Sequence, residues 1–204
     1  MKHLIILSAL VAGLLLTGCG NGEGPLAAPE SIVPDASLRE APSRPELVAL
    51  SEAAEAKRMR LYEAAETGRM TPLARIANAE PGFISNIGGE THISYWTLLR
   101  RTGADPGGTL LALFSQPHAV KVVGDETWYI WPDLAALAPE DLIPEKLDFQ
   151  DRARLLELVG EDGIARIRAG NPYPGLRTAI AEDGRWVYFI YNEDLIEASE
   201  AGEP

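Results

Sequence analysis

Cysteine occurs once in the 204 residues, at Cys19. A single thiol excludes any intramolecular disulfide and removes the thiolate clusters on which structural zinc sites depend. Histidine is almost as scarce, at positions 3, 92 and 118, with no H-E-x-x-H spacing, so the residues specify no metal site. Basic residues are outnumbered, 18 Lys and Arg against 30 Asp and Glu, for a net charge of −12. A surface of that sign repels nucleic acid and anionic head groups, and leaves basic peptides or cations as admissible partners. No apolar run reaches the roughly 20 residues that a spanning helix needs. Gly107-Gly108 lacks the Lys-Ser/Thr companion of a phosphate-binding loop. No other segment carries a cofactor motif, and none is expected to bind.

What the chain does have begins at its N-terminus. Met1-Lys2-His3 precedes an apolar run of 13 residues from Leu4 to Leu16, followed by small residues. A positive start, a short apolar stretch and small residues are the layout of a secretory signal. The run ends in Leu16-Thr17-Gly18-Cys19, which resembles the lipobox of bacterial lipoproteins. The resemblance covers about the first 20 residues, and implies cleavage before Cys19 with a diacylglyceryl group on its sulfur and often an acyl chain on its amine. One acyl chain holds a protein to a bilayer only marginally, whereas two or more hold it stably. Lipidation would also account for the unpaired thiol of an exported chain. Gly20 stands where an Asp would follow the cysteine; in enteric lipoproteins that pattern implies sorting to the outer membrane. The expected address is therefore the cell envelope, on the periplasmic face of the outer membrane. Loss of residues 1–18 takes away one Lys and no acid, so the net charge moves from −12 to −13.

Residues 19–42 read as a lipidated flexible tether. From Gly20 to Pro45 the chain is rich in Gly, Pro, Ala and Ser without apolar periodicity. A flexible chain of that length spans about 28 Å. Residues 43–198 suit a single globular domain, and the acidic residues 199–204 read as a fraying tail.

Within the domain the punctuation is dense. Ser43-Arg44-Pro45-Glu46 has capping-box spacing, and Leu47, Leu50, Ala54, Leu61 and Ala65 follow on one helical stripe that Gly68 ends. Thr71-Pro72 opens a second helix that Pro81-Gly82 closes; Thr91 caps a third that stops at Gly103; Asp105-Pro106 caps a fourth. His118–Val123 and Thr127–Trp131 form a hairpin about Gly124-Asp125. Two helical stretches follow, broken at Gly160, and a second hairpin joins Leu176–Ala181 to Arg185–Tyr191 through Asp183-Gly184. The fold class is α+β: short helices packed on a small antiparallel sheet made from two hairpins. Asp125-x-x-Trp128 matches Asp183-x-x-Trp186 at an offset of 58, with Gly103/Gly160 and Pro117/Pro174 offset by 57. These matches read either as an internal helix–hairpin duplication or as coincidence among common turn residues.

Aromatic residues gather on the second strand of each hairpin. Alternation sends Trp128 to one face and Tyr129 and Trp131 to the other, and sets Trp186 and Tyr188 against Phe189 and Tyr191. Such strands suit a sheet covered on both faces, or alternatively an aromatic face that stacks on glycan or apolar peptide. Trp131 and Tyr191, near strand ends, are the binding candidates expected to reach the surface. The loop from Gly82 to His92 is unusual for its paired glycines, with Glu90 and His92 as an acid/base candidate. Ser85 beside His92 in sequence carries no recognised nucleophile context.

These features favour a non-enzymatic, membrane-anchored binding domain whose partner is an envelope protein or glycan. The alternatives are an envelope hydrolase acting on cell-wall material through Glu90 or His92, and a small-ligand carrier with a pocket between sheet and helices.

Overall fold

The computed structural model describes residues 48–86 and 89–190. The lipobox, the tether, the Ser43 capping box, Tyr191 and the acidic tail lie outside them. Five α-helices and four strands follow in the order α1 Glu52–Glu66, α2 Met70–Ala79, α3 His92–Arg101, α4 Pro106–Phe114, β1 Ala119–Val123, β2 Glu126–Trp131, α5 Phe149–Arg168, β3 Arg177–Ala181 and β4 Trp186–Ile190. Short 3₁₀ turns at Asp133–Ala136 and Pro144–Lys146, unmarked in the sequence pattern, bridge β2 to α5. The strands form one antiparallel sheet in the order β1-β2-β3-β4, so the two hairpins meet through β2 and β3, with Trp128 opposite Ala181 and Trp131 opposite Thr178. The chain is α+β, with short helices on a small sheet.

α1 begins later than the sequence suggests. Residues 48–50 are not helical, and the cap is Ser51 rather than Ser43. Ser51 Oγ accepts from Ala54 N at 3.1 Å and donates to the Glu182 carbonyl, while Ser51 N donates to the Tyr129 hydroxyl. The helix therefore starts where the sheet grips it, and Glu52 and Glu55 in its first turn suit the positive end of its dipole. Leu50 lies against the core without being helical. Asp105 occupies the N-cap position of α4, yet its side chain makes no capping bond there. Gly160 breaks α5 into the two expected helices with φ +67° and ψ −179°.

One face of the sheet packs against α1 to α4. Leu61, Leu73, Trp96, Leu110, Ile180, Trp186 and Phe189 are buried there together. The opposite face holds Ile130, Ala179, Tyr188 and Ile190, partly covered by Ala135 and Ala136. A smaller cluster joins Leu134, Leu142, Leu147 and Tyr173 to Leu155, Ile164 and Ile167 of α5. Asp133 and Asp151 both bond the Arg154 guanidinium, at 2.6 and 2.9 Å, and tie the first 3₁₀ turn to α5.

Every position of β3 and β4 is buried, as two covered faces require. Strict alternation fails in β4, however. The register shifts between Ala179 and Ile180, with Tyr188 opposite Ala179 and Trp186 opposite Ile180, so Val187 is the extra residue of a bulge. The bulge turns Trp186 onto the same face as Phe189, correcting the expected pairing of Trp186 with Tyr188. There the indole N–H donates to Thr178 Oγ1 at 2.9 Å. Trp128 stays half-buried on the other face, beside Tyr188. Helix–hairpin order thus recurs as α4-β1-β2 and α5-β3-β4, but the two matched tryptophans occupy opposite faces. On its outer side β1 has no strand among the described residues, and Val122 is 70% exposed.

Candidate functional site

The loop after α2 is built onto the sheet. Ile84 forms a parallel bridge with Tyr188, its N–H donating to the Val187 carbonyl and its carbonyl accepting from Phe189 N at 2.9 Å. This docking carries Ser85 inward to 0% exposure. Gly82 and Gly89 both adopt φ +71°, a left-handed turn that glycine accepts without strain. The chain then returns to Thr91, whose Oγ1 accepts from Ser94 N and caps α3, as expected.

The turn makes spatial partners of residues seven apart. Ser85 Oγ lies 2.6 Å from His92 Nδ1. Asn86 Nδ2 donates to Ser85 Oγ at 3.1 Å and to the Glu90 carbonyl at 3.3 Å. The hydroxyl oxygen has two acceptor sites, so while accepting from Asn86 it can either donate to a bare His92 Nδ1 or accept from a protonated one. Burial lowers the His92 pKa and so favours its neutral form. Beneath the ring, Phe83 meets His92 edge-on at 5.0 Å and Trp186 at 4.2 Å.

A hydroxyl bonded to a neutral imidazole is half of a nucleophile arrangement. Here the oxygen is sealed from solvent, and none of the open grooves described below is lined by Ser85 or His92. Glu90 is exposed, and only its backbone carbonyl joins the network. The loop thus brings His92 to Ser85 rather than to the Glu90 carboxylate. The missed signal was the span from Ser85 to Thr91, short enough that a capped helix must return His92 to the start of the loop.

Trp131 is 2% exposed, which corrects the expectation that it reaches the surface. Pro132 ends β2, but Phe114 packs edge-on against the indole at 5.3 Å and His118 lies over it at 5.1 Å. Trp131 is instead the inner wall of a groove of about 370 Å³ whose rim carries Glu55, Arg58, Gln116 and His118. Glu55 and Arg58 are joined by two hydrogen bonds, 2.8 and 2.6 Å long, which lower the Glu55 pKa. His118 Nε2 lies 2.8 Å from the Val48 carbonyl, so the groove adjoins the point where the described chain begins.

A second depression, of about 360 Å³, lies between the hairpin turns and is lined by Asp125, Glu126, Glu182 and Asp183. Glu126 is held below the usual carboxylate range by hydrogen bonds from the Trp128 indole and the Arg185 guanidinium. Among the described residues no group of three or more His, Cys, Asp or Glu is placed to hold a metal ion, and no helix is long and apolar enough to cross a membrane. No family model, curated protein or solved structure matches the chain, so its functional reading rests on this geometry.

Proposed function

We propose that the protein is a lipid-anchored envelope lipoprotein, cleaved before Cys19, whose α+β domain binds a partner rather than transforming a substrate. The observation that carries the binding half is the contrast between two places in the fold. In the Ser85–His92 pair the serine is closed off at 0% exposure, whereas the Trp131 groove is open and rimmed by charged and amide groups. Buried apolar walls with a few polar groups at the rim are the usual make-up of a recognition site. The anchoring half rests on Leu16-Thr17-Gly18-Cys19 behind the apolar run.

A photo-crosslinking residue at Gln116, on the groove, tests the reading in cells against the same residue at Arg75, exposed on α2. One dominant envelope adduct from position 116 alone is expected. Equal adducts from both positions, or none, remove the groove from consideration. Cell-wall hydrolysis that disappears with Ser85→Ala would install the hydrolase alternative in its place.

The small-ligand carrier is the second reading with an observation behind it. Grooves of 360 to 510 Å³ lie within the range that accommodates small molecules.

A further inference from the structure

Three arginines meet where α3 ends beside the start of α2. Arg69 precedes α2, and Arg100 and Arg101 lie in the last turn of α3; together they line a groove of about 510 Å³. Thr71 and Thr97 add hydroxyls, and Met70 and Ile93 give the groove apolar walls. Arg100 is fixed in position, since one of its nitrogens donates to the Gly68 carbonyl at 3.2 Å.

None of the three has a carboxylate partner among the described residues. Arg58, Arg154, Arg168 and Arg185 each bond an Asp or Glu at 2.6 Å, and of the three grooves described only this one is lined by more than one arginine. In a chain with 12 more acids than bases, the gathering of three guanidinium groups around one groove calls for a cause. Helix polarity explains Arg100 and Arg101, which suit the negative end of α3. It does not explain Arg69, a cation against the positive end of α2, whose first turn contains no acid.

We propose that this groove binds the phosphate of a compact phosphate monoester, with the ester's organic part against Met70 and Ile93. Guanidinium forks match phosphate oxygens in pairs, and a dianion with three terminal oxygens can engage several of them together. The rest of the surface sets the ligand's size. A polyanion or an anionic bilayer must approach more of the molecule than the groove, and the net charge of −12 disfavours that approach. A small ester occupies only the cationic cavity. The inference stands apart from the Trp131 groove and from the lipid anchor.

The test uses the full chain purified in non-ionic detergent, titrated with phenyl phosphate and followed by ³¹P resonance. Saturable binding is expected, with a Kd below about 1 mM. Arg100→Ala and Arg101→Ala should each weaken it by roughly tenfold or more, the loss expected for one charge-assisted hydrogen bond. Arg60→Ala and Arg75→Ala should leave it unchanged, and phenol should not compete. Absence of saturation, an equal loss in the Arg60 and Arg75 variants, or binding confined to phosphatidylglycerol vesicles would each overturn the proposal. A partner captured at Gln116 alongside a negative titration removes the phosphate site and leaves the binding reading intact; the reverse pair of results does the opposite.

Discussion

His92 shows how burial can shift the titration of a single side chain. Its Nδ1 lies 2.6 Å from the Ser85 hydroxyl oxygen, and burial pulls its pKa down. The native ring is therefore neutral, while the unfolded chain recovers the ordinary value of about 6.5. Below that pH the unfolded state binds a proton that the native state refuses. Stability contributed by the neutral ring is present above about 6.5, and is lost as pH falls from there toward the folded pKa. Thermal midpoints measured from pH 7 to pH 5 should decline, and His92→Gln should flatten that decline. The carboxylates with lowered pKa, Glu55, Glu126 and Glu145, act in the same direction but below the ordinary carboxylate value of 4.5, so the two windows separate. An unchanged slope in the variant would show that His92 is not the titrating group. Residue identity made His92 visible as a candidate; its partner was not visible, because Ser85 is brought to it by the bridge of Ile84 to β4.

At the scale of helices and strands, the legible features are those whose cause is local. Pro81-Gly82, Thr91, Gly103, Gly124-Asp125 and Gly160 all act within a few residues of themselves, and each break falls where those residues put it. The start of α1 escaped because its cap is chosen by distant groups, the Tyr129 hydroxyl and the Glu182 carbonyl, against a rival capping box at Ser43. The bulge at Val187 escaped because valine is as ordinary in a strand as in a bulge. Its effect is large all the same: one extra residue moves the Trp186 indole to the opposite face and onto Thr178. Gly160 offers the clean test at this scale. Its φ of +67° with ψ −179° lies in a region kept almost wholly to glycine, and a Cβ there would touch nothing within 4 Å. Gly160→Ala should therefore cost on the order of 1–3 kcal/mol from backbone strain alone. Chemical denaturation would read that loss, and a neutral result would mean that α5 rebends at no cost.

For the whole molecule, the proposed address and the proposed activity belong to different parts of the chain. On the function proposed above, anchoring would rest on the first 19 residues and binding on the folded body. Cys19→Ser should move the protein from the membrane fraction to the soluble fraction without altering its melting temperature, as fractionation and calorimetry would show. Persistence in the membrane fraction would remove the lipid from the account. The acidic surface was plain from composition, but the gathering of Arg69, Arg100 and Arg101 was not, since 31 residues separate the first two and only the packing of α3 beside α2 unites them.

The sheet, finally, is unequal at its two sides. Ile84 already lies against β4 at Tyr188, while β1 leaves its outer backbone groups facing outward, with Val122 exposed and Lys121 beside it. Among the described residues, growth by strand addition is therefore freer at β1 than at β4. Two copies joined through β1 would occupy that edge in both, so any self-association by this route ends at a pair and does not extend into a filament.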